Sequence, residues 1–357
     1  MTKEQFRLIA GSNILLASGV FEREELDELE DIFSGYVECG SNVLIAPTYL
    51  SDGYEGKEEL LARTQQVAAE QAFVAGGILP VPGGIDLMGG DLSYDEYYDE
   101  VLEEAMFLSQ SGVSLLFLLG FETLLEAKCA VLAAREACDL PICIGLKFDA
   151  FTKLKDNTDP VNAVITLQCL GISAAGCAFS SVDAAADSVA VMKDFASVPL
   201  FVLPDVDNAV EPQDLSLYAG SFVSHKCVVV GAAHGSNSAY TGALSKELWQ
   251  LHPFMPDFPQ VNAVTAITQI FFMDFHNNVI GENKNLLEIS IESEEEVRPV
   301  IEKLIASNAP PVCFRITDMD ALELALKLYP GRPAVKSDQY GEITAREFGA
   351  FVIEQEE

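Results

Sequence analysis

Short apolar runs rich in Val, Ile, Leu and Phe alternate with amphipathic, charge-bearing segments through the first 250 or so residues. That alternation is the pattern of βα units built on a parallel sheet. Eight runs read as strands, at 7–11, 43–49, 73–79, 115–119, 142–148, 174–179, 200–204 and 228–232. Between them, segments such as 22–33, 58–71, 100–109 and 124–137 carry apolar residues at helical spacing, several with acidic residues in the first turn. Eight strands with interleaved helices predict a closed (β/α)8 barrel of the TIM type. An open doubly wound sheet fits less well, because no G-x-G-x-x-G follows the first strand.

The pattern then changes and restarts. Residues 1–252 are expected to form the barrel, 253–284 a bridging segment, and 285–357 a small α/β lobe of three βα units. The lobe strands are expected in LLEISI (286–291), VCFRIT (312–317) and AVKSD (334–338), followed by helices at 294–307, at 321–328 and from 344. Within the bridge, AVTAITQIFFMDF (263–275) is too apolar to remain solvated, and we expect a helix packed on the barrel.

Composition narrows the partners. Fifty-five acidic residues against 21 basic ones give a formal charge of −34, which repels phosphate backbones and anionic membrane surfaces. No nucleic acid and no membrane is therefore expected as a partner. No apolar run approaches the ~20 residues of a membrane span, and the N-terminal MTKEQFRLIAGSN has no signal-peptide pattern, so a cytoplasmic location is expected. The eight cysteines are scattered without C-x-x-C spacing and are expected to be reduced and mostly buried.

In such a barrel the reactive groups sit on the loops at the C-terminal ends of the strands. The segments EAKCAVLAAREACDLPICIGLKFD (126–149) and TDPVNAVITLQCLGISAAGC (158–177) lie across those ends. They are joined in order by VLIAPTY (43–49), VAGGILP (74–80), PLFVLPD (199–205) and VVVGAAHG (228–235). Together they resemble the homocysteine S-methyltransferase family, in particular the homocysteine-binding barrel of cobalamin-dependent methionine synthases.

The resemblance implies thiol or one-carbon methyl transfer to a small-molecule thiol or amino-acid-like substrate, with a corrinoid supplied only through a partner protein. It also implies a zinc ion held by one cysteine after the sixth strand (G-x-N-C) and two after the eighth (GGCCG). Thiolates suit that role because they bind Zn²⁺ tightly and leave a position for the substrate thiol. Here Gly176-Cys177 and Ala233-His234 stand at those places, so one thiolate remains, one ligand becomes imidazole and one becomes a methyl group. The family's Asp-Gly after the first strand is matched to Ala10-Gly11, and its T-N-T-[FY] motif to Ala46-Pro47-Thr48-Tyr49. The Glu-Thr after the fourth strand, whose Glu grips the substrate ammonium, falls on Leu119-Gly120 in a gapless register; a three-residue shift restores Glu122-Thr123.

The candidate catalytic residues, and the remnant metal ligands of this degenerate zinc site, are therefore His234 and Cys177. Thr48, Tyr49, Asp205, Asp207 and Glu122 are candidate substrate-binding groups. Each has a plainer reading: Cys177 as a packing residue, Asp205 and Asp207 as a solvated acidic loop, Glu122 and Thr123 as a helix start. The loop GGIDLMGGD (83–91) is expected to be flexible and to cover the mouth. It lacks the Lys and Ser/Thr of a phosphate-binding loop. In the tail, LELALKLYPGRPAVKSD (322–338) resembles part of the pterin-binding barrel of methionine synthases, which suggests a docking or homo-oligomerisation module. Two functions compete: a divergent methyltransferase, and a non-catalytic barrel that binds a small molecule or docks a corrinoid methyltransferase partner.

Overall fold

The structure is a computed structural model that describes residues 1–51, 53–206, 210–253, 261–273 and 286–353. It opens on a helix, α1 (Lys3–Ser12), where the sequence pattern suggested a strand at 7–11. Thr2 and Gln5 form a capping box at its start, and Phe6 and Ala10, four residues apart, bury on one face against the inside of the barrel wall. The first strand is instead β1 (Leu15–Gly19), all five residues of which are buried.

The remaining barrel strands are β2 (Val43–Ala46), β3 (Phe73–Ile78), β4 (Leu115–Phe121), β5 (Ile142–Leu146), β6 (Ala174–Ser181), β7 (Leu200–Asp205) and β8 (Cys227–Gly231). They pair in sequence order, and β8 closes on β1 through Leu15↔Val229 and Ala17↔Gly231. Around them run α2 (Leu29–Glu38), α3 (Tyr54–Ala68), α4 (Tyr94–Gln110), α5 (Leu124–Ala137), α6 (Pro160–Gln168), α7 (Val182–Met192), the short α8 (Pro212–Leu217) and α9 (Ala219–Ser224), and α10 (Ser238–Leu248). This is a closed (β/α)8 barrel. Its strands read as continuous apolar runs because each is buried on both faces, inside the barrel and under the helices.

Residues 263–272 are not helical. They form an antiparallel hairpin, β9 (Ala263–Thr265) and β10 (Ile270–Phe272), turned at Ala266, whose amide donates to the Gln269 carbonyl. Thr, Val, Ile and Phe fit a pleated, half-buried surface better than a helix. Residues 254–260 and 274–284 of the bridging segment lie outside the described residues. The lobe follows as β11 (Leu287–Ile291), α11 (Glu294–Ala306), β12 (Val312–Ile316), α12 (Met319–Leu328), β13 (Ala334–Val335), α13 (Gln339–Glu347) and β14 (Phe351–Val352). It is a four-stranded parallel sheet in sequence order, one strand more than the pattern suggested. Helix α13 starts earlier than 344 because Asp338 caps it. The hairpin packs on this sheet: Val264 joins Cys313, Ala334 and Ile353 in one cluster.

Helices α5 and α6 are buried nearly all round, since the barrel covers one side and the lobe with its hairpin covers the other. Lys128 of α5 is 1% exposed and donates to the carbonyls of Leu326, Tyr329 and Gly331 at 2.6, 2.9 and 3.2 Å. Burial pushes its ammonium down to about 7, against a smaller opposing effect of the neighbouring Cys129. Arg298 of α11 reaches Asp86 at 2.6 Å, and Thr166 of α6 bonds Thr265 at 2.8 Å. A chain ended at residue 252 is expected to aggregate or to bind a hydrophobic dye, because the outer faces of α5 and α6 lose their cover. A monodisperse truncated protein that unfolds as steeply as the full chain would contradict this.

Candidate active site at the barrel mouth

Three aromatic rings close the C-terminal mouth, each lying on a strand-end glycine. Phe21 lies over Gly19 of β1, where a Cβ would meet its ring at 2.9 Å, and Tyr49 lies over Gly77 of β3, where a Cβ would meet its ring at 2.5 Å. The Phe179 ring lies on Gly120 of β4 so closely that no Cβ fits there. Phe21 stacks on Tyr49 with centroids 6.2 Å apart and meets Phe179 edge-on at 5.3 Å. The Tyr49 hydroxyl donates to the Val20 carbonyl at 2.8 Å. Large rings over absent side chains are how a barrel layer fills its section.

His234, just past β8, sits at the rim of this layer, 4.6 Å from the Phe179 ring and 5.3 Å from Phe21. Its Nδ1 lies 2.8 Å from Oδ1 of Asp205 at the end of β7, and its backbone N–H donates to the same oxygen at 3.2 Å. The strand ends are fastened alongside: Ala233 N–H donates to the Pro204 carbonyl and Val206 N–H to the His234 carbonyl, at 2.8 and 2.9 Å. Gly235, at φ +76°, allows that approach, because a Cβ there would collide with the Val206 carbonyl. Since a carboxylate only accepts, Nδ1 carries the proton, and in the neutral ring Nε2 is left as the basic nitrogen.

The Asp205 hydrogen bond raises the His234 pKa above its ordinary value, against a smaller opposing effect of burial. A raised folded value means that the pair stabilises the fold fully below the unfolded value of about 6.5. That contribution is lost as pH rises through the folded value. An NMR titration of the His234 imidazole is expected to show a midpoint above 6.5, and Asp205→Asn should bring it down. Equal midpoints in the two proteins would mean that the pair does not form.

The other sequence-derived candidates are not assembled around this pair. Cys177 is fully buried in the outer cluster between the wall and the helices, beside Ser188 of α7, whereas Ala174 and Ala178 of the same strand belong to the inner cluster. Burial pushes its thiol up to about 12. The expected pairing of Cys177 with His234 is therefore not realised. Ala233 carries no ligand atom, and among the described residues no group of three His, Cys, Asp or Glu side chains is placed to hold a metal ion. These residues do not fit the family's zinc.

Thr48 is buried and turned to Glu104 of α4 at 3.3 Å, away from the mouth. Glu122 follows β4 directly, but its carboxylate is already paired with Lys147 at 3.7 Å and with Lys155. In the gapless register the ammonium-binding position falls inside β4, where Leu119 packs into the barrel interior. Ala10-Gly11 lies in α1, ahead of the first strand, and so does not follow it as the match to the family's Asp-Gly expects; β1 itself ends on Ser18-Gly19. The Ser18 hydroxyl faces Thr241 of α10 at 3.2 Å. Asp207 lies outside the described residues. The loop 83–91 is folded on itself, with Asp91 N–H to Gly83 O and Leu92 N–H to Gly84 O. It is tied to Glu126 through Ile85 N–H and to α11 through Asp86. The sequence reading does not single out Phe21 or Phe179: Phe21 lies two residues from the Gly19 it covers, whereas Gly120 is remote from Phe179 in the chain and gives no local signal.

A sequence model of the homocysteine S-methyltransferase family matches residues 2–248 of the chain. Among solved structures, the homocysteine methyltransferase MmuM from Escherichia coli in its apo form superposes with a TM-score of 0.56 at 16% identity, over 67% of this chain and 98% of that one. The metallated form gives 0.56 at 15% over the same shares, and the oxidised form 0.55 at 14% over 68% and 98%. At those identities the structures speak for the fold. No curated protein shows significant sequence similarity to the chain. A sequence match that runs from the start of α1 to the end of α10, over the whole closed barrel, places this protein in the homocysteine S-methyltransferase family.

Proposed function

We propose that this barrel transfers a methyl group to a small thiol at the rim of β7 and β8, with acid–base chemistry in place of the family's zinc-thiolate activation. The observation that carries the reading is the 2.8 Å Asp205–His234 pair, which holds the imidazole at the mouth with Nε2 as its base. In that scheme Nε2 takes the thiol proton. The thiolate sulfur forms a bond to the methyl carbon of an electrophilic donor, sulfonium or methyl-corrinoid in class, and the donor leaves with the electron pair of the broken bond. Asp205 stabilises the imidazolium that results.

The testing experiment is a methyl-transfer assay of a panel of thiols against both donor classes, with His234→Gln beside the wild type. Turnover on a thiol other than homocysteine, lost in the variant, is expected. Robust turnover on homocysteine would sink the degenerate-site reading. Because Cys177 faces outward and Ala233 has no donor, zinc after dialysis is expected well below one ion per chain. About one zinc per chain, lost in Cys177→Ala, would show that the metal site persists.

A second reading has an observation of its own. The ring layer of Phe21, Tyr49 and Phe179 fills the mouth as a packed core would, which favours a non-catalytic barrel that binds a small molecule or docks a corrinoid protein. Absence of turnover across the panel, with binding retained, would select this reading.

A further inference from the structure

In a strand that alternates faces, Ala178 pointing into the barrel would leave Phe179 pointing out. Both belong to the inner cluster. The register of β6 against β7 breaks between Ala178 and Ser181, and Phe179 takes φ +62°, a left-handed conformation disfavoured for a residue with a Cβ. The bulge turns its ring inward, a known use of bulges beside functional sites. Opposite, β4 breaks register between Leu119 and Phe121, and Gly120 at φ +81° receives the ring. Two irregular strand ends thus face each other across β5, one supplying a strained aromatic residue and the other the bare backbone beneath it. The inner cluster that takes in the ring also holds Phe117, Leu119, Cys143, Ala178, Phe201 and Leu203, none with a carboxylate or an amino group.

We propose that Phe179 is a movable plug, and that the slot opened when its ring leaves Gly120 takes the apolar body of an uncharged arylalkyl or alkyl thiol beside His234. This names a substrate class for the reading above and rests on it. An amino-acid zwitterion fits such a slot poorly, since burying an unpaired ammonium is costly and Glu122 is already held by two lysines.

Binding of 4-fluorophenylmethanethiol to the full chain under reducing conditions, followed by ¹⁹F NMR, tests the plug without requiring turnover. Saturable binding to the wild type is expected, with binding at least tenfold tighter in Phe179→Gly, where the ring no longer competes and glycine accepts the left-handed φ. Phe179→Leu should fall between, and serves if the glycine variant does not fold. Homocysteine should not displace the probe. Binding to the variants with none to the wild type would show a fixed ring and overturn the proposal. Equal affinity in all three would place the probe elsewhere and overturn it too, and displacement by homocysteine at matched concentration would overturn the substrate class. His234→Gln separates the two ideas: probe binding kept within threefold while methyl transfer is unaffected would discard His234 as the base and leave the plug standing.

Discussion

Gly176→Ala is expected to lower the stability of the protein by about 3 kcal/mol, the upper part of the range for overpacked interiors. Gly176 pairs with Phe201 across the β6–β7 seam. A Cβ at this position would overlap the Phe201 carbonyl oxygen and sit 2.7 and 2.9 Å from its carbonyl carbon and nitrogen. Those are backbone atoms of a closed, hydrogen-bonded wall, so no rotamer change relieves the overlap; β7 must move, and Asp205 with it. Urea unfolding checks the value, and an unchanged midpoint would refute it. The expectation bears on the family pattern too. The resemblance matches Gly176-Cys177 to an Asn-Cys pair, and asparagine is larger than alanine. Reverting Gly176 and Ala233 to the family's residues should therefore destabilise the barrel and not rebuild a zinc site.

His234→Gln is expected to reduce methyl transfer by roughly 10² to 10⁴-fold, the usual contribution of a positioned general base. Glutamine preserves much of the size and the capacity to hydrogen bond Asp205 but has no nitrogen that takes a proton near neutral pH. The loss should fall mainly on kcat, because the proton moves in the chemical step. Asp205→Asn should retain a larger share of the wild-type activity at low pH than at high, because its imidazole sheds its proton at lower pH but is the weaker base once both are free. Between them, the two variants separate loss of the base from loss of its orientation. Unchanged turnover in His234→Gln would remove the assignment of the centre while leaving the fold and family untouched.

Much of the barrel was legible before any coordinates. Seven of its strands announce themselves as apolar runs, because a parallel strand covered on both faces has no polar positions to hide in. The order of motifs from Val43 to Gly235 placed the functional end of each strand. His234 and Asp205 could be placed at one mouth by strand order alone, since the loops after neighbouring strands β7 and β8 must meet there. Helix α1 was misread because its few apolar residues suit either period, and what decides is Phe6 and Ala10 closing the barrel floor. The hairpin at 263–272 was missed because a short apolar run carries no periodicity that distinguishes strand from helix.

The repeating βα architecture and the family can be read along the chain alone, because burial on both faces writes each strand as an apolar run and the motifs keep their order. Which face each side chain takes is set by how the strands pair and pack. Cys177, which the resemblance matches to a metal ligand, points into the helix layer. Phe179, which alternation would send outward, is turned into the mouth by a bulge and a left-handed φ. Side-chain direction along a strand reverses with every residue, so one irregularity in register exchanges inside for outside. That irregularity leaves no mark in composition or spacing, because it is set by what the neighbouring strands and the glycine opposite will accept.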